Sequence, residues 1–400
     1  MSEGKSLIKL TVAILALAFV SQINTIASVV MADVAAFFPN ASVTAIQYVM
    51  QMGMIGGLPV SFAVGFLTKK FRIKSMLLVG VICILVGGIV PFFNHSTLAI
   101  LYVCAFLVGA GQGFMYPLVG TLILQNFEGQ KKNTLLGLNT TFATGGATLL
   151  LLIAGPVALS GWVNIYLLYL VAVPVFLIAL ICLPRGEVVP PAPANSAPKA
   201  PVPVKGWIQC CIVALMYVAY VSFPLNVSMY IVGESLGDAT ASGLAMSIIT
   251  VVGAVLGVVF QAVIKAVKLF IGTFAALFGF LGMLTICLAS NVAMVYIAAV
   301  LLGLFFGANF SSGGYIISRI CTPEQFAPTF SVIMGFINFG VILSPIIVNL
   351  ITAAWGGTGS QGAFITSTVI FGVVVVLQII WNAYLTKTCP AASEPAKAAA

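Results

Sequence analysis

Four hundred residues that are 61% hydrophobic and 6% charged cannot make a soluble domain, in which charged side chains reach about 25%. Mean hydropathy is +1.19, so the chain reads as an integral membrane protein. A net charge of +8 would suggest a nucleic-acid surface on a soluble protein; here it reads as membrane topology, and no nucleic-acid partner is expected.

A spanning helix needs about 20 apolar residues. Charges, prolines and glycines divide the apolar runs into twelve, at 8–31, 43–67, 75–94, 98–124, 134–158, 162–183, 207–232, 241–264, 268–289, 292–318, 328–353 and 362–386. All sixteen Lys and Arg then fall on one face: Lys5 and Lys9, the loop Lys69 to Lys74, Lys131 and Lys132, Arg185, Lys199, Lys205, Lys265, Lys268, Arg319, Lys387 and Lys397. The positive-inside rule makes that face cytoplasmic, with both termini. Asp33, His95, Glu234 and Asp238 fall on the other face. The expected fold class is an all-α polytopic membrane protein of twelve transmembrane helices in two six-helix pseudo-symmetric halves. The halves are residues 1–183 and 207–386; a Pro-rich cytoplasmic linker, 184–206, joins them, and a disordered cytoplasmic tail, 387–400, follows.

The first run has the basic start of a signal peptide, but it outlasts a 7–15-residue apolar region and no A-x-A site ends it, so it is read as the first span. Ser21, Asn24, Thr25 and Ser28, spaced i, i+3, i+4, i+7, would share one face of an α-helix, and in lipid that face must turn inward. Such a face either bonds neighbouring helices or walls a solute cavity, and both readings stand. Asp33 follows, at the outer end of the helix, where a solvated end residue and a functional carboxylate are both open. The second span carries Gln47, Tyr48 and Gln51 near its outer end.

That span runs into Gly65-Phe-Leu-Thr-Lys-Lys-Phe-Arg-Ile-Lys74. Gly65, Leu67, Lys70 and Lys74 resemble the loop signature between helices two and three of the major facilitator superfamily. The resemblance implies a gating loop made of Gly65, Leu67, Lys69, Lys70, Arg72 and Lys74. Lys69 stands where the family has Asp, and Arg72 where it has Gly. In the family that Asp helps lock the outward-open state, so the lock does not carry over to Lys69. The resemblance covers nearly the whole chain and implies a twelve-helix transporter that alternates access to a cavity lined by helices one, four, seven and ten.

In the fourth span Gln112 and Gly113 match part of the Arg-x-x-Gln-Gly of the family's proton-coupled antiporters, with Gly109 in place of the Arg. Gly109 and Gly113 also form a G-x-x-x-G, whose physical use is close helix packing. Tyr116 and Pro117 complete the polar interruption. The fifth span carries Asn139 and ends in Gly155-Pro156, a fragment of an antiporter motif whose flanking glycines are absent. The seventh brings Tyr217, Tyr220, Ser222, Pro224, Asn226 and Tyr230. Tyr217 and Tyr220 share one face, and Pro224 marks either a binding region or a packed kink. Asn309 in the tenth span and Asn338 in the eleventh add two amides.

The halves repeat. Ser96 to Gly113 and Ser290 to Gly307 align with a slide of 194 residues, pairing Ser96 with Ser290, Ala99 with Ala293, Tyr102 with Tyr296, Gly109 with Gly303 and Gly113 with Gly307. The register continues through Gly120 with Gly314, Phe142 with Phe336 and Gly146 with Gly340. Parallel repeats of apolar helices are a transporter symmetry, with the solute bound where the repeats meet.

No Asp, Glu, Lys, Arg or His lies in the middle of a predicted helix, and a fully charged solute would be expected to meet a counter-ion there. The expected function is transport of a small neutral or amphipathic organic solute, a metabolite or xenobiotic, by facilitated or weakly ion-coupled alternating access. Its predicted substrate-binding residues are Ser21, Asn24, Thr25, Ser28, Gln112, Tyr116, Asn139, Tyr217, Tyr220, Asn226, Asn309 and Asn338. Asp33, Glu234 and Asp238 are the coupling candidates. A proton-coupled efflux antiporter, an organic-anion uptake carrier and a substrate-sensing receptor remain as alternatives. A channel would need a filter of carbonyls or charges, and an enzyme an acid–base pair or metal set. Neither pattern is present, and the eight cysteines lack metal spacing. No metal and no cofactor are expected, and the protein is read as a monomer in the cell membrane, with a small-molecule solute and the lipid bilayer as its partners.

Overall fold

The computed structural model describes residues 2–184, 201–267 and 270–388. Most of the predicted linker and tail, together with Lys268, lie outside them. The described residues are helical, with no strand among them, as a chain with no bulk water to satisfy its backbone must be. The helices are α1 (Ser2–Val20), a 3₁₀ segment (Ile23–Val30), α2 (Met31–Phe37), α3 (Val43–Leu67), α4 (Ile73–Phe93), α5 (Leu98–Asn126), α6 (Gly129–Leu159), a second 3₁₀ segment (Trp162–Val171) and α7 (Ala172–Cys182). There follow α8 (Val204–Gly233), α9 (Ala239–Val267), α10 (Ile271–Cys287), α11 (Val292–Ile320), α12 (Pro323–Ala354) and α13 (Gly359–Thr388).

Eleven helical stretches among the described residues are long and apolar enough to cross a membrane, and α10 is a shorter apolar one. Together they occupy the twelve predicted runs, with three corrections. The first span does not end at residue 31; α1, the 3₁₀ segment and α2 carry it to Phe37. The sixth opens as ten residues of 3₁₀ helix, Trp162–Val171. The seventh begins at Val204, inside the predicted linker, with Pro203 in extended conformation as its N-cap; a proline is tolerated there because a helix start needs no N–H from it.

The chain divides into two compact units, Met1–Ala194 with Gly237–Ser247, and Asn195–Leu236 with Ile248–Ala400. In the first, α3 and α4 pack on α5, and α1 packs on α6 and α7. In the second, α10 packs on α11 and α13, and α8 on α12 and α13.

The sequence repeat has a physical counterpart inside each unit. Gly109 and Gly113 of α5 lie against the Gly53 and Gly57 carbonyls of α3, where any Cβ would overlap backbone. Gly303 and Gly307 of α11 meet α9 in the same way, a Cβ on Gly307 falling 2.5 Å from the Gly253 carbonyl. Gly146 presses on Phe19 of α1, and its repeat partner Gly340 on Ala214 of α8. Helix starts repeat as well: Thr97 Oγ1 accepts from the Ile100 amide and Asn291 Oδ1 from the Met294 amide, two N-caps 194 residues apart. Small residues thus recur where two backbones touch, which is how helices associate in lipid.

Candidate functional site

In the first span Ser21 donates to the Ala18 carbonyl at 2.7 Å, Thr25 to Gln22 at 2.9 Å and Ser28 to Thr25 at 2.7 Å. Thr25 and Ser28 lie in the 3₁₀ segment, which has three residues per turn. The predicted single polar face, which assumed 3.6 residues per turn, is therefore replaced: Ser21 and Ser28 are buried on their own backbone, and Asn24 and Thr25 are half-buried. Asn24 Nδ2 donates to the Met50 carbonyl at 3.3 Å, in room left by Gly53 of α3. Asp33 falls in the first turn of α2 and is half-buried, so it stands inside the helical rod instead of at its end.

In α5, Tyr116 is 56% exposed at the middle of a 29-residue helix, and its hydroxyl donates to the Ser21 carbonyl at 3.1 Å. Gln112, one turn earlier, is 8% exposed. Its amide makes no hydrogen bond to another described residue, yet it is not among the polar atoms sealed from solvent.

In α8, the Tyr217 and Tyr220 rings meet edge to face at 6.0 Å. Tyr220 lies 5.1 Å from the Phe305 ring and stacks on Phe306 at 5.8 Å, both of α11. Both tyrosines are buried, and both hydroxyls, like the Gln112 amide, lack a partner among the described residues without being sealed. Pro224 has no N–H to offer the Tyr220 carbonyl four residues back, which leaves a further acceptor at the same level. A polar edge against an aromatic floor can hold a flat, uncharged molecule through ring contact and hydrogen bonds.

Three other predicted site residues spend their amides on packing. Asn226 Nδ2 donates to Ser222 of its own helix at 2.8 Å, Asn338 Nδ2 to Met334 at 2.7 Å, and Asn309 Nδ2 to the Met216 sulfur at 3.0 Å. Asn139 is half-buried on α6, without a hydrogen-bond partner among the described residues. Of the coupling candidates, Glu234 is the exposed C-cap of α8. Asp238 accepts from the Thr240 and Ala241 amides at 2.8 and 3.2 Å, as the N-cap of α9.

The loop after α3 is held at one point. Lys74 Nζ donates to the Leu180 and Leu183 carbonyls at 2.6 and 2.9 Å, covering the negative end of α7. Lys69 lies over the Phe66 ring at 5.8 Å. Lys70 and Arg72 are exposed, and Gly65 has open space beside it. A cleft of about 190 Å³ beside Lys74 is lined also by Gln125 and Asn126, and an apolar groove of about 380 Å³ runs along α13 beside Trp355. No cluster of three or more His, Cys, Asp or Glu that could hold a metal occurs among the described residues.

Sequence reasoning missed Phe305 and Phe306, whose part depends on a contact between helices 85 residues apart in the chain. It also missed Gln378 and Asn382, two amides one turn apart in apolar α13, a spacing that could have flagged them.

The family model described as Major Facilitator Superfamily matches residues 10–284 and 209–399. No curated protein matches significantly. Among solved structures, a bacterial homologue of the human lysosomal transporter Spinster is 14% identical with a TM-score of 0.70, covering 98% of this chain and 99% of that one. The nucleoside transporter NupG is 14% identical with a TM-score of 0.74, covering 94% and 98%. A POT family transporter in complex with a thioalcohol-conjugated peptide is 13% identical with a TM-score of 0.72, covering 94% and 96%. At these identities the likeness concerns the fold.

Proposed function

The chain belongs to the Major Facilitator Superfamily, and on that premise we propose that it carries a small neutral or amphipathic organic solute across the cell membrane by alternating access. Gln112, Tyr217 and Tyr220 are the proposed solute-binding residues. The observation that carries this reading is shared by the three residues: they are buried, their polar atoms lack partners among the described residues, and those atoms are not sealed off. A packing role would leave them bonded, since an unmade hydrogen bond on a buried group costs about 1–3 kcal/mol. A solute or the water it displaces supplies the missing partner. Asn24, Tyr116 and Asn309, whose recorded bonds go to the Met50 and Ser21 carbonyls and the Met216 sulfur, are secondary candidates, and the α3–α4 loop, held by Lys74, takes the gating role.

The absence of a charged side chain among these residues favours a neutral or zwitterionic solute, or an amphipathic anion held by amides and hydroxyls. The rings of Tyr217, Tyr220, Phe305 and Phe306 favour one with a planar apolar part. Transport is facilitated or weakly ion-coupled. A second reading, proton-coupled exchange through Asp33, draws on its half-buried position in the first span. With a solute found by thermal-shift screening, Gln112→Ala and Tyr220→Phe should weaken binding while the apo protein keeps its yield and melting temperature. Lower apo stability with unchanged affinity would make these residues packing groups and end this reading.

A further inference from the structure

The positive charge of the first unit is densest on the α3–α4 loop. Lys69, Lys70, Arg72 and Lys74 fall within six residues, and the sequence has no Asp or Glu between Asp33 and Glu128. None of the four forms an ion pair among the described residues. Lys69, Lys70 and Arg72 are exposed, and Lys74 is half-buried. Four like charges on so short a loop repel one another, and an anion from outside the chain relieves the repulsion.

The surface around these charges selects the kind of anion. Phe62, Phe66 and Phe71 are 71, 71 and 54% exposed, so apolar rings flank the cations. The cleft beside Lys74 is mixed in the same way, since Ile73, Leu122 and Leu183 line it together with Lys74, Gln125 and Asn126. Lys74 Nζ gives two hydrogens to the Leu180 and Leu183 carbonyls, and an ammonium has a third to give. Asn126 Nδ2 gives one to the Leu122 carbonyl at 2.9 Å, and an amide nitrogen has a second. Gln125 is exposed.

Inorganic phosphate would answer the donors and leave the apolar half of the cleft and the rings uncovered. A phosphate that carries hydrocarbon answers both: its oxygens accept from the ammonium and the amides, and its chain lies on Ile73 and Leu122. The loop joins two spans, which puts it at the level of lipid headgroups, on the face that the positive-inside rule makes cytoplasmic. Lys and Arg gathered just beyond a span attract the anionic lipids of that leaflet. We propose that the α3–α4 loop and the cleft beside Lys74 bind the headgroup of an anionic phospholipid, its phosphate meeting Lys74 and Gln125 and its charge offsetting Lys69, Lys70 and Arg72. The site lies within the first unit and is independent of the solute.

The test uses the full chain, purified in a neutral detergent and titrated with anionic phosphatidylglycerol or zwitterionic phosphatidylcholine, with bound lipid counted by native mass spectrometry. Phosphatidylglycerol should stay bound at concentrations that leave phosphatidylcholine free. Lys69→Gln, Lys70→Gln and Arg72→Gln together should weaken its binding on the order of a hundredfold, each cation near the membrane surface being worth about fivefold. A phosphatidylglycerol with a diazirine at the start of its acyl chain should label the stretch from Leu122 to Asn126, and this label decides alone if the triple variant cannot be purified. Equal binding of the two lipids overturns the proposal, as does undiminished binding to the triple variant or a label confined to other helices. Displacement of the lipid by an equal concentration of inorganic phosphate would mean a small-anion site, and would overturn it equally.

Discussion

Gly109→Ala isolates the close contact on which the first unit is built. The Cβ it adds would overlap the Gly53 carbonyl of α3, and a helix carbonyl cannot swing aside as a side chain can. The two helices must move apart, and overpacking of this kind costs about 1–3 kcal/mol. Alanine's better helix propensity returns roughly 0.5–1 kcal/mol, leaving a net loss of up to about 2.5 kcal/mol. Gly145→Ala on α6 is the control, because nothing lies within 4 Å of its added Cβ and only the propensity gain remains. Gly303→Ala in the second unit meets the Val252 Cβ at 2.8 Å and the Ile249 carbonyl at 3.0 Å, and should fall between the two. Thermal unfolding of the purified protein should rank the variants Gly145→Ala, Gly303→Ala, Gly109→Ala in order of decreasing melting temperature. Gly109→Ala as stable as Gly145→Ala would refute the reasoning.

Lys74→Met removes the two bonds to the α7 carbonyls, and its half-exposed position limits the loss to about 1 kcal/mol; a melting temperature equal to that of the unaltered protein would show that the contact is idle. Asp238→Asn keeps an N-cap as good as Asp, whereas Asp238→Ala should cost about 1 kcal/mol. If Asp238 acts only as a cap, transport survives the Asn variant at every external pH assayed, and its loss there would return Asp238 to the coupling candidates. A single cysteine placed at His95 should react with an impermeant reagent added from outside, and one at Ala194 should not; the reverse pattern would invert the topology.

The helix count was legible because hydropathy, breakers and one-sided Lys and Arg are each local signals that agree. The crossings at Gly109 and Gly303 were legible because a repeat shows the same constraint twice, whereas the caps at Thr97 and Asn291 emerged only from the structure, their residue types differing between the halves. The 3₁₀ segment at Ile23–Val30 was not, since an apolar run of the same hydropathy suits both helix types. The candidate site was half legible. Gln112, Tyr217 and Tyr220 stand out as polar groups in apolar helices, but so do Asn226, Asn309 and Asn338. What separates the two sets is whether a partner lies within reach, and that depends on packing between helices distant in the chain.

The most direct test of solute transport is counterflow into liposomes that carry the purified protein, loaded with an unlabelled neutral solute from the thermal-shift screen and diluted into a trace of its labelled form. The label should accumulate transiently without an imposed ion gradient, and Gln112→Ala should abolish the accumulation at a solute concentration that saturates the unaltered protein's site. Binding with no counterflow in the unaltered protein would contradict the account and make the chain a sensor built on a transporter fold.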